Sequence, residues 1–409
     1  MKKKNAKYDM SHKLDYVSYD VRGPVLEEAE RLMAQGARIL KLNTGNPGAF
    51  GFHAPDEIIR DLIMNARSSE AYSDSKGIFS ARKAIEQDCQ LKGFPNVSIE
   101  DIYTGNGVSE LITMCMQGLV DNGDEILVPA PDYPLWTAMV TLSGGRAVHY
   151  KCDEENHWYP DIDDIRAKIS QRTKAIVIIN PNNPTGVLYP KEVLEDLVEV
   201  AREHNLIIFS DEIYERLVMD GKKLQSVAPL APDLCVITMN GLSKSHRVAG
   251  FRIGWMIISG RKDHVRGYIE GLNMLSNMRL CSNVLAQQIV QTSIGGYQSA
   301  DELLLPGGRI YEQREMICKV LDEIPGISYV RPDAAFYIFP KIDVAKFNIK
   351  DDEKFMLDLL KEKHVMLVPG TGFNLETPDH FRIVYLPDVK ELREFGDDLK
   401  DFLSEYKQK

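Results

Sequence analysis

Residues 174–212, "KAIVIINPNNPTGVLYPKEVLEDLVEVAREHNLIIFSDE", decide the fold class. Two almost wholly apolar, β-branched runs, 174–180 and 206–212, flank a segment at 191–205 whose apolar residues recur at helical spacing. Continuous apolar strands are typical of strands buried on both faces, and a helix between two of them makes a parallel crossover. Similar strand-like runs occur at 125–131, 235–240 and 254–259. The pattern predicts an α/β protein with a mainly parallel sheet flanked by helices.

Composition excludes several classes of function. The chain has 409 residues, of which 44% are hydrophobic, and a net charge of −11, which offers no basic surface for nucleic acid or an anionic membrane. No apolar run approaches the roughly 20 residues that a membrane span needs, and the basic start "MKKKNAK" leads into polar sequence. The six cysteines and the histidines show no metal-ligand spacing. We therefore expect a cytoplasmic protein without a metal site that binds neither nucleic acid nor membrane.

The chain ends differ in pattern from the middle. After residue 300, long helical patterns alternate with short hairpin-like segments, which is typical of an α+β unit. No repeat or linker separates this part, so a second domain must be built from the chain ends. We predict an N-terminal arm at 1–25, a small domain from 26–55 with 305–409, and a large cofactor-binding domain at 56–304.

Side chains with reactive chemistry follow three of the predicted strands, and ligands of parallel sheets bind at the carboxyl ends of strands. They are Asn183, Asp211 with Tyr214, and Lys244. Each alone is most simply a solvated strand end. Together they match pyridoxal phosphate: a lysine forms an imine with its aldehyde, a carboxylate keeps its ring nitrogen protonated, and a phenol and an amide hold its ring hydroxyl.

A phosphate site is predicted in "DIYTGNGVSELITM", residues 101–114, where a glycine-bounded turn opens a helix. The groups that would face the anion belong to Gly107, Val108 and Ser109. Arg252 would add a charged contact, although it could equally be a strand-edge arginine. The rival interpretation is a dinucleotide fingerprint, but Glu110 stands where its third glycine would be. A lone G-x-G is weak evidence for either.

Four features in this order resemble the class I aminotransferases of the fold type I pyridoxal phosphate enzymes. They are "NPNNPTG" (180–186), "SDEIY" (210–214), "NGLSK" (240–244) and the Arg252 that follows. The resemblance covers nearly the whole chain. It implies a seven-stranded, mainly parallel sheet, a smaller α+β domain, a ping-pong transamination and a homodimer with shared active sites.

The resemblance also implies roles for single residues. Lys244 would be the catalytic Schiff-base lysine, and Asp211 the partner of the pyridine nitrogen. The other implied cofactor contacts are Asn183 and Tyr214 on the ring hydroxyl, Tyr133 stacked on the ring, and Arg252 on the phosphate. Arg382 would grip the substrate α-carboxylate, assisted by Gly45 and Asn183. Tyr72 would reach the phosphate of the neighbouring subunit.

One position departs from the family pattern. Many relatives carry a phosphate-binding serine three residues before the lysine, and here that residue is Gly241. Ser243 or Ser245 could take its place, and Ser243 enters the predicted site. Local geometry decides between them.

Longer runs resemble the bacterial enzymes that exchange an amino group between glutamate and pyruvate. They include "VRGPVLEEA", "LNTGNPGAFGFHAPDEI", "GNGVSELI" and "VPAPDYPLWTA". This likeness, and no spacing argument, implies alanine, glutamate, pyruvate and 2-oxoglutarate as substrates.

Other functions stay open at this point. The same cofactor would serve an aminotransferase for aspartate, branched-chain or aromatic substrates, or a β-lyase. A non-catalytic regulator that senses the cofactor would usually carry a DNA-binding domain, and only 20 residues precede "VRGP". A nucleotide-binding dehydrogenase is disfavoured by Glu110.

Overall fold

The computed structural model describes residues 10–17 and 23–409. The predicted arm at 1–25 therefore lies largely outside the described residues. The strands are β1 Leu40–Lys41, β2 Ile102–Gly105, β3 Glu125–Ala130, β4 Arg146–Asp153, β5 Tyr159–Pro160, β6 Thr173–Ile179, β7 Ile207–Asp211, β8 Cys235–Gly241, β9 Gly254–Gly260, β10 Ile327–Ser328, β11 Tyr337–Ile338, β12 Lys341–Ile342, β13 Val365–Met366, β14 Val368–Pro369 and β15 Phe381–Val384. The α-helices are α1 Pro24–Ala34, α2 Asp56–Met64, α3 Phe79–Leu91, α4 Val108–Leu119, α5 Leu135–Leu142, α6 Ile162–Lys168, α7 Lys191–Glu203, α8 Arg266–Met278, α9 Val284–Gln287, α10 Val290–Gly295, α11 Asp301–Leu304, α12 Arg309–Asp322, α13 Val344–Phe347, α14 Asp352–Lys363 and α15 Val389–Glu405.

The central sheet has the strand order β2-β9-β8-β7-β6-β3-β4-β5. Strands β8, β7, β6, β3 and β4 are mutually parallel, while β9 runs antiparallel to both β2 and β8. The predicted mainly parallel sheet is confirmed. Its strand number is corrected from seven to eight, because the two-residue β5 folds back antiparallel onto the end of β4. So short an edge strand leaves no periodic signal in the sequence.

Strand β6 shows why the runs read as continuously apolar. Val177 and Ile179 belong to the core on the side of α4 and α8. Ile176 and Ile178 belong to the opposite core, on the side of α7. Successive side chains of a strand point to opposite faces, so a strand covered on both sides needs apolar residues at every position.

The two chain ends meet in a second core. Strand β1 pairs in parallel with β13, with Leu40 opposite Val365. Helix α1 packs on α14, and α12 packs on α15. Strands β11, β15 and β14 form a three-stranded sheet beside them. These contacts support a small α+β domain made from both ends, while its boundaries, 26–55 and 305–409, and the large domain at 56–304 stay a prediction.

Two features of the described part of the chain bear on function. Across residues 10–17 and 23–409, no helix is long and apolar enough to cross a bilayer. The same residues contain no cluster of three or more potential metal ligands. All six cysteines lie in the described part, and all are free thiols.

Candidate active site

Most of the predicted cofactor-binding residues lie along one edge of the central sheet. Gly105, which ends β2, pairs with Gly254 at the start of β9, and Gly254 pairs with Gly241 at the end of β8. Asp211 ends the next strand, β7, opposite Met239. Because adjacent strands are about 4.8 Å apart, these termini form one continuous rim. Five segments converge there: the turn before α4, the chain before β9, and the loops after β8, β7 and β6.

The turn before α4 forms an anion cradle. Gly107 precedes the helix with a φ of 82°, which favours glycine. A Cβ at Gly107 would lie 2.8 Å from the guanidinium carbon of Arg252, so a side chain would fill the space. Arg252 Nη2 donates to the carbonyl of Asn106 at 3.1 Å and to the hydroxyl of Ser109 at 3.2 Å. The free amides of the first turn, beginning with Val108, and the guanidinium of Arg252 thus lie at the same turn, an arrangement that suits an anion.

A buried carboxylate and a lysine occupy the neighbouring strand ends. Asp211 is 3% exposed, and the indole nitrogen of Trp136 donates to its Oδ2 at 3.3 Å. Burial raises the pKa of Asp211 to about 6, against the opposing effects of its hydrogen bonds to Trp136 and the Ile213 amide and of the charge on Lys244. Lys244 Nζ donates to the carbonyl of Gly45 at 2.8 Å. A protonated ring nitrogen beside Asp211 would favour the carboxylate form.

Two tyrosine hydroxyls contact each other next to Gly45, whose carbonyl accepts the hydrogen bond from Lys244. Tyr214 and Tyr337 share a hydrogen bond of 2.8 Å, and both side chains are buried. Burial, followed by the proximity of Tyr337, raises the pKa of Tyr214 well above its ordinary value. Tyr214 is therefore a neutral phenol that can donate a hydrogen bond. A Cβ at Gly45 would lie 2.7 Å from the ring of Phe336 and would overlap Tyr337, so glycine is required there.

Arg382 on β15 is held in one orientation by groups from distant segments. Its Nη1 donates to Asn183 Oδ1 at 2.9 Å, and its Nη2 donates to the carbonyl of Asn43. The guanidinium carbon lies 4.7 Å from the ring centres of both Tyr337 and Phe373. A planar, permanently charged group fixed in this way suits bidentate recognition of a carboxylate.

The glycine at 241 has a structural reason. A Cβ on Gly241 would lie 2.8 Å from the carbonyl oxygen of Ile253 and 2.9 Å from the Cα of Gly254. A Cβ on Gly254 would in turn lie 2.8 Å from the amide nitrogen of Val108. Glycines at these paired positions let β8, β9 and the turn before α4 approach closely. A serine at this position would collide with backbone.

Of the two serines proposed as replacements, Ser245 is already engaged. Its hydroxyl shares a hydrogen bond of 2.9 Å with His246 Nδ1. Ser243 is buried next to Lys244 and remains the predicted hydroxyl for the phosphate.

The remaining predicted residues differ in placement. Tyr133 is half-buried in the turn between β3 and α5, on the same rim. Tyr72 is 80% exposed on the surface, as a residue that serves a neighbouring subunit would be. Sequence reasoning missed Trp136, although it lies three residues after Tyr133 in "DYPLW". It also missed Tyr337 and Phe373, which no local pattern marks.

The residues present fit pyridoxal phosphate. The cradle at Gly107 would hold its phosphate, Asp211 its ring nitrogen and Lys244 its aldehyde. Burial raises the pKa of Asp211 to about 6, so a cation placed beside this carboxyl would stabilise its ionised form. The individual contacts of Asn183, Tyr214, Tyr133, Ser243 and Tyr72 with the cofactor stay predictions.

Comparison with known proteins agrees with this geometry. Residues 37–399 match the family described as aminotransferase class I and II. The chain is 59% identical over 401 residues to the glutamate-pyruvate aminotransferase AlaA of Haemophilus influenzae, covering 98% of this chain and 99% of that protein. It is 51% identical over 402 residues to an alanine aminotransferase of Mycobacterium tuberculosis, covering 98% and 94%. A solved aminotransferase from Escherichia coli, 58% identical, superposes with a TM-score of 0.98 over 99% of this chain and 100% of that one. The resemblance is confirmed, and the chain belongs to the pyridoxal phosphate-dependent class I and II aminotransferases.

Proposed function

We propose that this aminotransferase is an alanine transaminase, which converts L-alanine and 2-oxoglutarate into pyruvate and L-glutamate. The observation that carries the proposal is the 59% identity, over nearly the full length of both chains, to a protein named glutamate-pyruvate aminotransferase. The solved alanine aminotransferase of Pyrococcus furiosus adds support, with a TM-score of 0.92 at 38% identity, over 97% of this chain and 100% of that one.

Each of the side chains at the site has a different role in the reaction. When bound, pyridoxal phosphate supplies an electron-accepting ring that stabilises negative charge on the substrate α-carbon. Asp211 would keep positive charge at the ring nitrogen, because a buried carboxylate favours a neighbouring cation. Lys244, on the same rim, would hold the cofactor through its aldehyde and would carry a proton to and from the substrate α-carbon. Arg382 holds the α-carboxylate and so fixes the orientation of the α-carbon bonds.

We also propose a homodimer. Tyr72 is 80% exposed, and nearby helix α8 exposes Met274 by 64% and Met278 by 73%. Ser75 Oγ donates to Asn277 Oδ1 at 2.7 Å, which joins the Tyr72 segment to α8 in one surface. Clustered exposed apolar side chains of this kind mark an interface. A cytoplasmic location is proposed as well, supported by six cysteines that all remain free thiols.

The decisive experiment measures the rate of transamination with alanine and 2-oxoglutarate as substrates. It also follows the visible absorbance of the protein with pyridoxal phosphate bound. Alanine alone should bleach that absorbance, and adding 2-oxoglutarate should restore it. Aspartate, leucine, phenylalanine and cystathionine are the competing substrates. If alanine left the absorbance unchanged, the proposed alanine specificity would be wrong, whereas the proposal that the protein binds pyridoxal phosphate would not be affected.

Two lysine variants test the assignment of Lys244. Lys244→Ala should lose both turnover and the visible absorbance. The matched control is Lys191→Ala, since Lys191 is exposed on α7 and pairs only with Glu195 among the described ion pairs. Full turnover in Lys244→Ala would refute the assigned role.

A further inference from the structure

Glu110 occupies the position that distinguishes "GNGVSE" from a dinucleotide fingerprint, and none of the roles above uses it. It lies in the first turn of α4, next to the anion cradle. Its Oε2 accepts a hydrogen bond from the backbone amide of Asn106 at 2.8 Å, and its Oε1 accepts one from Asn106 Nδ2 at 2.9 Å. One carboxylate therefore binds two donors of the residue at the centre of the Gly105–Gly107 turn.

Asn106 connects Glu110 to the anion site. The carbonyl of Asn106 accepts a hydrogen bond from Arg252 Nη2 at 3.1 Å. Its side-chain oxygen accepts one from the Asn283 amide at 2.8 Å. Because Glu110 fixes Asn106, it fixes both the direction of this carbonyl and the path of the backbone into the cradle.

A carboxylate so close to a phosphate site carries an electrostatic cost, and Arg279 offsets it. Arg279 Nη1 pairs with Glu110 Oε2. The Arg279 side chain is 14% exposed and that of Glu110 26%, so solvent screens the pair only partly. Without the arginine, the charge of Glu110 would repel a phosphate dianion at the start of α4.

Arg279 also anchors the pair to the fold. Its Nη2 donates to the carbonyl of Thr104, the penultimate residue of β2, at 2.9 Å, and to the carbonyl of Ser75 at 2.8 Å. Ser75 belongs to the segment that carries Tyr72. The guanidinium therefore joins the cradle, strand β2 and the Tyr72 segment.

We propose that Glu110 and Arg279 form a charge-balanced brace that sets the affinity of the protein for the phosphate group of its cofactor. Both are positioning residues, which act through Asn106 and its turn. Glu110 supplies the geometry of the turn, and Arg279 removes the repulsion that this carboxylate would otherwise exert. The inference rests on the proposed function, because it presupposes a phosphate in the cradle.

The test compares pyridoxal phosphate with pyridoxal, which lacks the phosphate. The apoprotein is titrated with each compound, and dissociation constants are measured for wild type, Glu110→Ala, Arg279→Met and the double variant Glu110→Gln/Arg279→Met. Arg202→Met is the matched control, since Arg202 makes an exposed two-point ion pair with Asp233 on another face of the protein. A melting temperature for each variant identifies any that fails to fold.

Arg279→Met should weaken pyridoxal phosphate binding about tenfold or more, because it leaves an unpaired carboxylate beside the anion. The double variant should recover at least about threefold of that loss, since the single carbonyl oxygen of glutamine keeps one of the two hydrogen bonds from Asn106 without the charge. Glu110→Ala should weaken binding about threefold or more, although it makes the site more positive. Pyridoxal affinity should change less than about twofold throughout, as should both affinities in Arg202→Met.

Tighter or unchanged phosphate binding in Glu110→Ala would overturn the brace, as would equal losses for the two compounds. If Arg279→Met does not fold, the Glu110→Ala comparison decides alone. A wild-type protein that binds pyridoxal phosphate no better than pyridoxal would refute the phosphate site itself. Failure of wild type to bind either compound would refute the proposed function, and the inference with it.

Discussion

Replacing Gly241 by serine should lower the stability of this protein and its affinity for the cofactor. The Cβ of Gly241→Ser would lie 2.8 Å from the carbonyl oxygen of Ile253 and 2.9 Å from the Cα of Gly254. Both neighbours are backbone atoms of the antiparallel partner, in a ladder where Gly241 pairs with Gly254. They cannot rotate away as a side chain would, so the strands must separate.

The magnitude follows from the overlap. Ordinary Cβ contacts begin near 3.4 Å, so the backbone of β9 must shift by about half an ångström. Overpacking of this kind typically costs about 1–3 kcal/mol. The displaced segment directly follows Arg252, so the anion cradle is disturbed as well. We expect pyridoxal phosphate affinity to fall in Gly241→Ser, even though the variant adds a hydroxyl that could donate to a phosphate.

Urea denaturation of the apoprotein and a cofactor titration measure the two effects. Gly241→Ala provides the Cβ without the hydroxyl and should behave like the serine variant. Gly267→Ser on α8 is the control for a glycine whose Cβ meets no atom within 4 Å. Its free energy of unfolding should stay within about 0.5 kcal/mol of wild type.

One result for the two variants at Gly241 would contradict the proposed steric role of the glycine. If Gly241→Ser bound the cofactor more tightly than wild type while Gly241→Ala did not, the hydroxyl would fit the site without strain. The close approach of β8 and β9 would then not explain the glycine.

Three further predictions concern the charged groups. Arg382→Leu should raise the KM values of alanine, glutamate and both keto acids together, by about a hundredfold, because it removes a two-point charged contact; steady-state kinetics that show unchanged KM values would exclude this role. Because burial raises the pKa of Asp211 to about 6 from an ordinary 3.8, the folded apoprotein retains a proton that the unfolded chain releases. This proton should make the free energy of unfolding fall by up to about 3 kcal/mol as the pH rises from about 4 to about 6, and Asp211→Asn should remove that contribution, so that the variant has a flatter pH slope than wild type in urea titrations. Burial lowers the pKa of His380, but Asp379 at 2.8 Å and Glu154 at 3.3 Å outweigh it and hold that pKa above its ordinary value. The stabilisation is complete below the ordinary histidine pKa and is lost as the pH rises through the raised one, so His380→Gln should cost more stability at pH 6 than at pH 9; an equal cost at both would contradict it.

Much of the fold was predictable because a strand that is buried on both faces has a recognisable pattern of apolar residues within its own sequence. Strand β6 needs an apolar residue at every position, and the helix that follows it needs apolar residues at helical spacing. Both patterns can be recognised in "KAIVIIN" and "KEVLEDLVEVAREHN" without any knowledge of the rest of the chain. The two-residue β5 and the exact ends of the second domain leave no such record.

The candidate site divides in the same way. Lys244, Asp211 and Arg252 stand in short motifs beside the ends of long strands, so the sequence by itself determined both their identity and the rim on which they lie. The surroundings of Arg382 were decided only by tertiary structure, since Asn183, Asn43 and the rings of Tyr337 and Phe373 come from remote segments. Likewise, only the close pairing of β8 with β9 shows that glycine at 241 is required rather than tolerated. Local sequence records which residues are buried and which backbone each segment adopts, whereas contacts between distant segments depend on how the sheet and the chain-end domain pack together.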